Sequence, residues 1–91
     1  MTQIASDSFL IAWEALPAGH FEAIYCGRRW GVTRTEKFDG RQAWLWAEEL
    51  GGKGRISCNL YRLKSGARLK PCEMPAQEVM DFVFRVEPLW P

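Results

Sequence analysis

The residues with the most chemistry to offer are Cys26, Cys58, Cys72 and His20, and their spacing limits what they can do. Three thiols make an odd set without a Cys-x-x-Cys pair, so neither a disulfide framework nor a zinc site with paired ligands is spelled out. A nucleophile such as Cys26 or Cys72 needs a base held by a third group, and the lone His20 has no assigned partner. Cys72-Glu73, just ahead of Pro75, is the best thiol candidate because a helix N-terminus activates a thiol; use as a structural loop is the plainer reading. Cys58 reads as small core filler. Glu48 and Glu49 are adjacent, and neighbours on a strand face opposite sides, so they cannot share a substrate. "GGKGR", Gly51 to Arg55, offers backbone N–H groups and Lys53 to a phosphate. It lacks the Gly-Lys-Ser/Thr ending and following helix of a phosphate loop. These patterns point away from an enzyme and supply no catalytic residue, metal ligand or cofactor.

Binding is the better-supported expectation. In "RQAWLWAEELGG" Trp44 and Trp46 are two residues apart, which places both indoles on one face only if the chain is extended. Alternation through Arg55 to Arg62 then puts Ile56, Cys58 and Leu60 on a core face, and Arg55, Ser57, Asn59 and Tyr61 on the other. Beside it, the small set Ala43, Leu45 and Ala47 belongs under bulky helices, which sends Trp44 and Trp46 outward. Two bare indoles of about 200 Å² each represent up to roughly 10 kcal/mol of hydrophobic driving force, so something should cover them. The covers to weigh are the Leu89-Trp90 tail, a helix on that face, a second copy or protein partner, and a ligand. The leading expectation is self-association, as a homodimer, or protein binding through Trp44, Trp46, Tyr61, Arg55 and Asn59.

The alternative is single-stranded nucleic acid, stacked on the aromatics and held by Arg29, Arg34, Arg41, Lys53 and Arg62. From Arg28 to Lys70 eleven Lys/Arg face four Asp/Glu (+7), while the flanks carry one Arg against seven acids (−6), giving the net +1. Glu36, Glu48 and Glu49 interrupt that basic set, and no RNP-like motif is present.

The elements that must position these residues follow from periodicity. Ser6 or Asp7 caps a helix from about Ser8 to Leu16, with Phe9, Leu10, Trp13 and Leu16 at helical spacing. Five strands follow: Phe21 to Cys26, Arg29 to Glu36, Gln42 to Glu49, Arg55 to Arg62 and Ala67 to Lys70. Their short connectors, rich in Gly, Asp, Ser and Lys, predict an antiparallel meander. Residues 41 to 50 also suit a helix, with Asp39 as cap and Gly51 as stop; the indole spacing favours a strand. Pro75 opens a second helix carrying Val79, Phe82, Val83 and Val86. The expectation is one α+β domain over 1–91, order α-β-β-β-β-β-α, with 1–5 and 87–91 as tails.

"AEELGG", "ISCNLYRL" and "LKPCEMPAQEVMDFV" resemble the skeleton of short bacterial proteins without an assigned activity, over most of residues 20 to 86; such a family lends no site residues. At 91 residues, 47% apolar and 25% charged, the chain is long enough to bury roughly 60 to 65% of its unfolded surface. Its apolar runs fall short of the roughly 20 residues of a membrane span. Its start lacks a signal-peptide pattern, so cytoplasm is the expected location.

Overall fold

The computed structural model describes residues 3–89. Their elements are β1 (Gln3–Ile4), α1 (Asp7–Glu14), β2 (Gly19–Tyr25), β3 (Arg28–Lys37), β4 (Gln42–Glu49), β5 (Arg55–Leu63), β6 (Gly66–Pro71), α2 (Ala76–Arg85) and β7 (Glu87–Pro88). The class is α+β. β2 to β6 form the expected antiparallel meander, and residues 42–49 are strand rather than helix. Instead of five strands, seven are present among the described residues, in the order β1-β6-β5-β4-β3-β2-β7. The extra two come from segments expected as tails. Ile4 pairs with Arg68 at one edge, and Glu87 with Ile24 at the other. Two residues carry no period, so nothing in them marks a strand; short edge strands of this kind blunt a sheet's tendency to recruit another.

Ser6 is the N-cap of α1, its Oγ accepting from Phe9 N at 3.2 Å. The helix stops two residues earlier than its apolar spacing suggests, because the residue before Pro17 is pushed out of helical geometry. Pro75 stands one place before α2, at the N-cap, and makes no side-chain capping bond. Phe9 and Trp13 of α1 join Val79, Phe82 and Val83 of α2 in one core with Val32, Leu45, Cys58, Leu60 and Leu69 of the sheet. Both helices therefore cover the same face, and neither lies over the opposite one. Ala43 and Ala47 leave the room that fully buried Trp13 and Phe82 need; each such large side chain contributes about 2–3 kcal/mol.

A buried guanidinium ties the layers together. Arg34, 8% exposed, donates from Nη2 to Leu16 O (3.0 Å), from Nε to Pro17 O (3.4 Å) and from Nη1 to Glu36 (2.8 Å). It satisfies carbonyls left over just past the C-terminus of α1, where a cation is favoured. Arg62 bonds the other Glu36 oxygen at 2.9 Å and Gly40 O at 2.6 Å, and reaches Glu14 of α1 at 3.6 Å. Among the described residues no helix is long and apolar enough to cross a membrane.

Candidate binding face

Register decides what shares the uncovered face. Trp46 pairs with Thr33 on β3 and Ser57 on β5; Trp44 pairs with Thr35 and Asn59, and Asn59 with Lys70 on β6. One row further, Lys37, Gln42, Tyr61 and Arg68 stand side by side; in the row beyond Trp46, Glu48 pairs with Arg55. Paired residues in an antiparallel sheet point the same way. Trp44, Trp46, Tyr61, Arg55 and Asn59, expected together, are together.

The two indoles are nearly parallel, 14° apart, with ring centroids 6.3 Å from each other. The Arg55 guanidinium lies 5.8 Å from the Trp46 ring centroid, a cation–π arrangement. Both rings are half-buried, not bare. Each is partly shielded by its neighbours, so the uncovered area falls well short of about 200 Å² per ring. Leu89 lies at the β2 edge, its N–H donating to Glu22 O, three strands from β4; Trp90, offered as a cover, lies outside the described residues.

The basic set divides. Arg34 and Arg62 are on the helical side by the alternation of β3 and β5 and are engaged there, which sets both apart from the indoles, although Arg62 also lines a hollow at the sheet end beside Phe38 and Tyr61. Arg29 is on the open face but is ion-paired with Glu22 toward the β2 edge. Arg41 occupies the β3–β4 turn, donating to Phe38 O at 3.1 Å, and Lys53 the loop at the far end of β4. In their place Lys37, Arg68 and Lys70 join Arg55 around the indoles, and among the described residues none of these four has a salt bridge. The period-2 pattern of β3 and β6 carries this signal, but only the cross-strand register brings it beside Trp44.

Two hollows adjoin on this side. One, of about 220 Å³, is lined by Thr35, Lys37, Gln42, Ala43, Trp44 and Asn59; the other, of about 360 Å³, by Phe38, Arg41, Gln42, Tyr61, Arg62 and Leu63. Gln42 is common to both. Asn59 Nδ2 donates to Cys72 Sγ at 3.7 Å. Among the described residues neither Thr35 nor Gln42 makes a side-chain hydrogen bond. A larger hollow of about 530 Å³ lies elsewhere, between Gln3 and the start of α2.

The thiols and His20 are dispersed. Cys26 is exposed in the two-residue β2–β3 turn, Cys72 is half-buried and Cys58 is buried. Burial, and secondarily Cys72, pushes the Cys58 thiol up to about 12. His20 Nδ1 lies 3.1 Å from Thr33 Oγ1. Glu48 and Glu49 fall on opposite faces, Glu49 bonded to Arg28 at 2.9 Å. Among the described residues no group of three or more His, Cys, Asp or Glu is placed to hold a metal ion.

Comparison of the chain with models of protein families, with curated proteins and with solved structures finds no match in any of the three.

Proposed function

We propose that this chain is a binding module without chemistry of its own, and that the open face of its sheet takes single-stranded nucleic acid. The observation that carries this reading is the surround of the two parallel indoles. Hydroxyls and amides lie to either side, and Lys37, Arg55, Arg68 and Lys70 lie around them without bonded acids. Flat aromatic rings stack bases of any sequence while cations track the phosphates. A second copy or a folded partner would have to desolvate those charges, which costs several kcal/mol per ion. It would recover little from indoles already half covered.

Anisotropy titrations of labelled oligonucleotides test the proposal. Affinity should fall with salt at a slope near −3 on logarithmic axes, from about 0.7 per neutralised phosphate for four contacts. The double variant Trp44→Ser/Trp46→Ser should lose binding by at least an order of magnitude while its melting curve stays cooperative. A wild-type protein that ignores oligonucleotides at low salt ends the proposal.

The protein-binding reading retains one specific support: Trp, Tyr and Arg, grouped at Trp46, Tyr61 and Arg55, are the residue types that dominate protein interfaces. Solution mass separates the two readings for a self-partner. A dimer that the same double variant dissolves supports interface use.

A further inference from the structure

We propose that the hollow beside Trp44 holds one base of the bound strand, and that it selects adenine and cytosine, which carry an amine at the 6 or 4 position, over thymine and uracil, which carry a carbonyl there. This rests on the nucleic-acid reading above. At about 220 Å³ the hollow is smaller than the roughly 300 Å³ at which sites for whole small ligands begin, so it accommodates one ring system. The indole of Trp44 is its stacking wall. Its polar lining is specific: Asn59 donates through Nδ2 to Cys72 Sγ at 3.7 Å, which leaves the Asn59 Oδ1 as an acceptor for a ligand. A carbonyl acceptor matches the amine of adenine or cytosine and is left facing another carbonyl by thymine. Gln42, without a side-chain partner among the described residues, supplies donor and acceptor for the adjoining ring nitrogen, as amide side chains do when they bind adenine. Lys37 at the rim supplies the phosphate contact. Cys72 is then a positioning residue, acting through Asn59. The neighbouring hollow at Phe38 and Tyr61 shares Gln42 and lies where the next nucleotide would continue.

Labelled oligo(dA), oligo(dC) and oligo(dT) of roughly ten nucleotides, within the span of small single-strand binding sites, provide the measurement. Oligo(dA) and oligo(dC) should bind on the order of tenfold tighter than oligo(dT). Asn59→Leu should abolish that preference and leave the salt slope unchanged; Asn59→Asp, which keeps the acceptor, should retain the preference at lower affinity. Lys37→Ala should weaken all three alike and reduce the slope. If Asn59→Leu fails to fold, Gln42→Ala tests the same preference. Equal affinities in the wild type, or a preference that survives Asn59→Leu, overturn base selection while nucleic-acid binding stands. Failure of all three oligomers to bind overturns both.

Discussion

Arg34 is the buried charged side chain of the core among the described residues. Its guanidinium serves two carbonyls after α1 and one carboxylate oxygen of Glu36, at 8% exposure. Replacing it with Met keeps much of the apolar stem but strands those acceptors and leaves Glu36 with Arg62 alone. Breaking a buried hydrogen-bonded charge in this way costs about 2–4 kcal/mol. Arg34→Met should therefore lower unfolding stability by that amount in urea titration, with oligonucleotide affinity per folded molecule unchanged. Arg29→Met, removing an exposed pair with Glu22, should cost less than about 1 kcal/mol. An Arg34→Met protein as stable as wild type would show that this guanidinium does not fasten α1.

The β3–β4 turn is an element built against its sequence. Phe38 and Asp39 both have φ of 55°, followed by Gly40 at 84°, and Phe38 is 61% exposed. Left-handed geometry costs a bulky residue about 1–2 kcal/mol and suits Asn or Gly better. Phe38→Asn should raise stability by about 0.5–1 kcal/mol and weaken oligonucleotide binding, a trade in the direction expected where strain serves a site. Improved stability with unchanged binding would detach the Phe38 hollow from the ligand. Much of the element order is legible before folding. Turn residues and alternation mark β2 to β6, and the i, i+2 indoles distinguish strand from helix at β4. The placement of α1 is only partly legible: the small residues Ala43 and Ala47 point to both helices on their side, as found, but β4 is apolar on both sides and leaves a helix on the other face as an alternative. The cationic surround is not legible, since Lys37, Lys70 and Arg68 come near Trp44 and Tyr61 only through the pairings of four strands.

At the scale of the whole molecule, the helical layer holds acids, Asp7 and Glu14 on α1 and Glu78 and Asp81 on α2, opposite a sheet face with more cations than acids. A net charge of +1 thus conceals a polar distribution that would orient an approaching polyanion. Global stability carries a pH signature from the interior. The Cys58 thiol is raised from its ordinary value of 9.0 to about 12 by burial, and Tyr25 is raised by burial and by its hydrogen bond to Asp81. Above about pH 9 the unfolded chain releases the Cys58 proton while the folded chain keeps it. Stability present at neutral pH is then lost with rising pH, at up to about 1.4 kcal/mol per unit until the folded value is reached. Urea midpoints between pH 8 and 11 should fall, and fall less in Cys58→Ala; equal pH dependence in the two proteins would exclude this thiol as the source.

β4 is the middle strand of seven, hydrogen-bonded along both sides. A ligand arriving at Trp44 and Trp46 meets backbone that is already fixed, so little binding free energy is spent on ordering the receptor. Recognition on such a floor works by preorganisation: several individually weak contacts can add up to a useful affinity.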